Sequence, residues 1–180
     1  MRLFIAINFN ETVKDELVDV IEKLKVAGIE GRFSLRENLH LTLVFIGETN
    51  DPTPIKSVME TIDETMFSLE ISGLGLFKRK GGDIIWIGFK QNSKLQDIQK
   101  QLSDGLLKVG FEIEDREYSP HLTLGRQVTY KKPVDLKSIE KTLHVIKADI
   151  NSVELMKSEQ ISGRLTYTPI HRMNLSNLRL

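Results

Sequence analysis

Leu3, Phe4, Ile5, Ala6, Ile7 and Phe9 form a short, nearly continuous apolar run rich in β-formers, which predicts a strand buried on both faces. The period then changes. Val13, Leu17, Val20, Ile21 and Leu24 fall at helical spacing, with Asn10 placed to cap the start and Gly28 to end the helix in the left-handed conformation. The pattern predicts a helix from Glu11 to Ala27, a strand from Leu39 to Ile46 closed by Gly47, and a helix from Pro54 to Met66. Phe67 to Phe77 and Ile84 to Phe89 then predict two strands joined by the basic turn Lys78, Arg79, Lys80, Gly81, Gly82, a hairpin. Leu95, Ile98, Leu102, Leu106 and Val109 predict a second long amphipathic helix ended by Gly110, with strands at Phe111 to Glu114 and His121 to Gly125. A short helix is expected over Leu136 to Leu143, followed by strands at Val145 to Ile150, Ser152 to Met156 and Leu165 to Met173. The mixed order points to an α+β fold.

Composition narrows the classes. A chain of 180 residues fits one domain, 1–180, with core enough to fold without a metal or disulfide. Zero Cys excludes a disulfide scaffold, a thiolate zinc site and a Cys nucleophile. The 25 Lys+Arg balance 25 Asp+Glu, which argues against coating a long nucleic acid but leaves room for binding one or two phosphates. The first apolar run is too short for a signal peptide or a membrane span, so a cytoplasmic protein with no membrane partner is the expectation.

One internal repeat stands out: His40, Leu41, Thr42, Leu43 and His121, Leu122, Thr123, Leu124. Two of the four His in the chain are followed by the same three residues. In a strand, residues i and i+2 share a face, so His40 with Thr42 and His121 with Thr123 project together while the four Leu face the core. If the two halves are related by a pseudo-twofold, the His-Thr pairs face each other across a cleft and bracket one small group. A pair of imidazoles can hold one neutral and one protonated ring, which concerted general base and general acid catalysis requires. Two hydroxyls add donors for an anion, and displacement at phosphorus wants that combination. The sequence offers no HExxH helix, no Cys and no obvious carboxylate at a ligand spacing near either His, so neither a metal nor another cofactor is expected.

At these residues the chain resembles the 2H phosphoesterase superfamily, and most closely its RNA 2',3'-cyclic phosphodiesterases, once called 2'-5' RNA ligases. The resemblance runs through RLFIAI, ENLHLTLVFIGE, GFEIEDREYSPHLTLGR and VELMKSEQISGRLTYTPI. It implies a two-lobed pseudo-twofold duplication, with antiparallel sheets lining a central cleft and helices outside. It also implies metal-free hydrolysis of an RNA 2',3'-cyclic phosphate end, tRNA fragments included, to a 2'-phosphate. On that model one of His40 and His121 activates water, the other protonates the departing ribose oxygen, and Thr42 and Thr123 hold phosphate oxygens. Which His plays which part stays open. ATP-independent 2'-5' joining of RNA ends is the same chemistry reversed.

Arg126, directly after the second motif, is a further candidate for phosphate or RNA contact, ahead of Arg32 and Arg36. The basic turn Lys78, Arg79, Lys80 could steer RNA or simply be solvated. Phe45 and Tyr167 could stack on a base, though core packing is expected of both. His144 and His171 have no repeat partner. The expected protein is a monomer. Other substrates open to it are 2',5'-linked oligonucleotides and nucleotide-sugar cyclic phosphates, and a non-catalytic nucleotide or RNA binding module is the reading from a different class.

Overall fold

A computed structural model of the chain describes residues 1–177; the last three residues of the expected 1–180 domain lie outside it. Asn10 and Asn92 each accept a hydrogen bond from the backbone N–H three residues on, at 2.9 and 3.1 Å, and so start the two long helices, α1 (Glu11–Val26) and α3 (Ser93–Lys108). Each helix buries one apolar stripe: Val13, Leu17, Val20, Ile21 and Leu24 on α1, and Leu95, Ile98, Leu102 and Leu106 on α3. Between them lies α2 (Thr53–Met59), and α4 (Leu136–Glu140) follows later.

The strands are β1 (Arg2–Asn8), β2 (Ile29–Phe33), β3 (His40–Glu48), β4 (Phe67–Phe77), β5 (Asp83–Phe89), β6 (His121–Tyr130), β7 (Ile146–Ile150), β8 (Ser152–Ile161) and β9 (Arg164–Asn174). They form two wholly antiparallel sheets, ordered β3-β1-β8-β9 and β2-β6-β5-β4-β7. The halves echo each other. In one, β1 leads through α1 to its sheet neighbour β3; in the other, β5 leads through α3 to its neighbour β6. The helices cross over between lobes, since α1 lies against β2 and β7 while α3 lies against β3. One continuous core therefore joins both sheets, from Leu3, Ile5 and Ile7 to Leu122, Leu124 and Ile85, and Phe9 stacks on Phe89 across it, 6.3 Å between centroids.

The expected α+β architecture and its two antiparallel sheets are present. Two local expectations are corrected, and one strand is added. Phe111 to Glu114 is irregular backbone rather than strand: Gly110 N–H bonds the Leu107 carbonyl and Phe111 N–H the Leu106 carbonyl, at 3.1 and 3.0 Å. That pairing closes the end of α3, and Phe111 is apolar because it seals this turn against the core. The helix expected over Pro54 to Met66 stops at Met59, after which a turn leads into β4. An unexpected edge strand, β2, pairs Ile29 with Tyr130 and Phe33 with Gly125.

Candidate active site

Both HLTL segments begin a strand, each against the end of its neighbour. His40 lies opposite Asn8 and Thr42 opposite Ala6 on β1; His121 lies opposite Gly88 and Thr123 opposite Trp86 on β5. Leu41, Leu43, Leu122 and Leu124 are buried in the core, so strand alternation turns His40, Thr42, His121 and Thr123 to the other face. There they line one cleft of about 710 Å³ between the sheets. The repeat thus brings all four residues into a single site, within the range usual for a small-molecule or nucleotide pocket.

Each imidazole is held the same way. His40 Nδ1 is 2.7 Å from the Asn38 carbonyl oxygen, and His121 Nδ1 is 2.9 Å from the Ser119 carbonyl oxygen. A carbonyl only accepts, so both Nδ1 atoms carry hydrogen and both Nε2 atoms are left for proton transfer. Aromatic rings fix the planes. His40 sits between Phe4 and Tyr167, with centroids 4.9 and 5.0 Å away; His121 meets Phe77 edge-on at 4.9 Å and leans on Trp86 at 6.2 Å. Phe4, Ala6 and Met156 form a second small apolar cluster with Tyr167 on this side of the sheet. Burial there pushes the His40 imidazole below its usual range, the Arg126 charge adds to that, and the Asn38 carbonyl opposes it. His40 is accordingly biased toward its neutral form.

The threonines differ in their partners. Thr42 Oγ1 lies 3.1 Å from His40 Nε2, and the Nδ1–H tautomer lets that hydroxyl donate to the ring. The Thr42 carbonyl accepts from Tyr118 Oη at 3.1 Å, and the Thr123 carbonyl from Ser34 Oγ at 2.7 Å. The segment leading into each motif therefore clasps the threonine of the other.

Arg126 lines the cleft, and so do Arg32 and Arg2. No carboxylate is among the lining residues, so an anion entering the cleft meets cationic donors with no competing charge. Arg36 is diverted: it bonds Glu11 and, at 2.6 Å, Asp15, and these pairs pull both carboxyls below their usual range. Lys78 of the basic turn pairs with Asp83 at 2.7 Å, and the turn is outside the cleft lining. His144 and His171 bond Glu16 and Glu60, at 2.6 and 2.7 Å, away from the cleft. Tyr167 packs in the small cluster, as expected, and also lines the cleft. Phe45 departs from expectation: it is 49% exposed on the cleft wall rather than packed in the core.

Sequence reasoning passed over Asn38, Ser119, Ser34 and Tyr118. The one signal available for the first two was their shared position two residues before each motif histidine. Among the described residues no three His, Cys, Asp or Glu side chains converge as metal ligands, and no helix is long and apolar enough to cross a membrane.

A family model described as the 2'-5' RNA ligase superfamily matches residues 13–161. A Thermotoga maritima protein named RNA 2',3'-cyclic phosphodiesterase is 36% identical over 136 residues, covering 72% of each chain. A Methanothermobacter thermautotrophicus protein of the same name is 27% identical over 184 residues, covering 97% of this chain and 99% of its own. Among solved structures, E. coli LigT complexed with 3'-AMP has the same fold, with a TM-score of 0.81 at 24% identity over 98% of both chains.

Proposed function

The chain belongs to the 2'-5' RNA ligase superfamily, and from that premise we propose that it is an RNA 2',3'-cyclic phosphodiesterase working by acid–base catalysis between His40 and His121. Water attacks the phosphorus of the cyclic phosphate. One histidine takes the water proton on Nε2 as the new P–O bond forms; the other gives its Nε2 proton to the ribose 3'-oxygen as the P–O3' bond breaks, leaving a 2'-phosphate. Thr123 donates its hydroxyl hydrogen to a nonbridging oxygen, Thr42 does the same by turning its hydroxyl from His40 Nε2 to the phosphate, which also frees that nitrogen, and Arg126 offsets the charge that gathers on the oxygens. A 5'-hydroxyl in the place of water would give a 2'-5' linkage by the same displacement. Both walls of the cleft come from one chain, so a monomer, 1–180 as one unit, suffices.

The observation that carries this reading is the matched anchoring of two histidines in one carboxylate-free cleft: each is tied through Nδ1 and each keeps Nε2 for the proton. The test is turnover, in EDTA, of an oligoribonucleotide ending in a 2',3'-cyclic phosphate. Wild type should yield the 2'-phosphate, and His40→Ala and His121→Ala should each lose about a hundredfold or more. No turnover with retained nucleotide binding would replace this reading with that of a binding module.

A further inference from the structure

We propose that Phe45 and Arg2 form a shelf that stacks the nucleobase one nucleotide upstream of the cyclic phosphate; this rests on the proposed function above. The shelf exists because β3 breaks its alternation. From His40 and Thr42, a regular strand would carry Val44 and Ile46 to the cleft. Instead Ala6 pairs with Thr42 and Ile5 with Val44, which leaves Leu43 as an extra residue. Val44 is consequently buried beside Leu43, both at 3% exposure, and Phe45 turns outward. A second irregularity follows at once, with Phe4 opposite Phe45 and Leu3 opposite Gly47. Paired bulges of this kind re-aim a single side chain. Here they hold a large aromatic half in solvent, at the expense of the burial it would otherwise find.

Arg2 completes the surface. Its guanidinium carbon stands 5.1 Å from the centroid of the Phe45 ring, and it pairs with no carboxylate among the described residues. An aromatic face and a planar guanidinium are the two groups on which unpaired bases stack, with little regard to base identity. Location decides which base. Phe4 and Tyr167 touch the His40 ring and so flank the reacting end. Phe45 lies opposite Phe4, two strand steps beyond Ala6, the partner of Thr42; that is about 7 Å at the usual strand rise, the spacing of one nucleotide past the sugar that bears the cyclic phosphate.

The experiment compares kcat/KM for a nucleoside 2',3'-cyclic monophosphate with that for a dinucleotide ending in a 2',3'-cyclic phosphate. Wild type should favour the dinucleotide by about tenfold or more, mainly through KM, as stacking of one base implies. Phe45→Ala and Arg2→Gln should each cut that ratio about fivefold or more, Phe45→Trp should keep it, and thermal melting confirms that each variant is folded. A wild-type ratio near one, or equal losses on both substrates in Phe45→Ala, overturns the shelf while leaving the phosphodiesterase reading in place. Turnover of neither substrate by folded wild type overturns that reading and the shelf with it.

Discussion

Tyr118 donates its hydroxyl to the carbonyl oxygen of Thr42, 3.1 Å away, and so joins the approach to the second histidine to the strand that carries the first. β3 is the edge strand of its sheet, and an edge leaves backbone groups without ladder partners. Tyr118 supplies one of those partners from the other lobe. Burial pushes its phenol above its usual range, so it remains a donor at any working pH.

Tyr118→Phe deletes that one bond and keeps the ring. It should cost about 1 kcal/mol of unfolding free energy, the usual net worth of such a bond. Because Thr42 is left less firmly placed, kcat should fall several-fold while KM changes little. Denaturant melts and steady-state kinetics check the two parts separately, and a loss confined to KM would sink the positioning role.

His40 offers a pH test with a definite sign. Its pKa is lowered in the folded state, first by burial, whereas the unfolded chain binds the proton near the ordinary imidazole value of about 6.5. Between the two pKa values the unfolded state holds more protons, so stability rises with pH across that window. The contribution is fully present above about 6.5 and is lost as pH falls toward the folded value. An NMR titration of the His40 ring should give a midpoint below 6.5, and His40→Gln should flatten the decline of stability on acidification. A midpoint at or above 6.5 would contradict the burial argument.

Much of this site was legible because strand alternation is a local property. His40, Thr42, His121 and Thr123 share a face wherever those segments are strands, and the four buried Leu require that they are. Asn10 was equally local, as a cap, and Asn92 caps α3 by the same local bond, though it was not read from the sequence. The bulges that expose Phe45 were not, because a register belongs to two strands and β1 carries no mark of it. β2 was missed for another reason: IEGRF has apolar residues only at its ends, and its hydrogen bonds to β6 hold it in the sheet. β8 runs past the expected Met156 to Ile161 because Ser158 and Gln160 face the cleft, so the polarity that reads as a loop is that of a wall.

On the sheet face that carries His40 and Thr42, Glu154 is 2% exposed and bonded by Asn8 and by Arg172, whose Nε lies 2.6 Å from Oε1. A buried carboxylate stripped of its cation is costly, whereas an apolar replacement of the whole pair is often neutral. The Arg172 side chain is 61% exposed, so solvent softens the loss. Arg172→Ala should destabilise by about 2 kcal/mol, between the surface and buried extremes. The double variant Arg172→Met/Glu154→Met should recover at least half of that in chemical denaturation. A single variant as stable as wild type would mean that solvent already satisfies the carboxylate.

Gly75 is the last residue with a sharp expectation. It sits on β4 opposite Trp86, and a methyl built on it would overlap the Trp86 six-membered ring. That ring leans on His121 and on Phe77, 5.4 Å from the latter, so it has to move toward the histidine or tilt away from it. Either motion disturbs the plane in which His121 holds its Nε2, because Ser119 restrains only the opposite nitrogen. Gly75→Ala should therefore cost about 1–3 kcal/mol by overpacking and lower kcat by about tenfold or more through the misplaced ring. Trp86 is the only tryptophan in the chain, so intrinsic fluorescence reports on this ring alone. A shifted emission maximum with a reduced kcat is the expected pair, and an unchanged spectrum with full activity would show that β4 gives way instead of the indole.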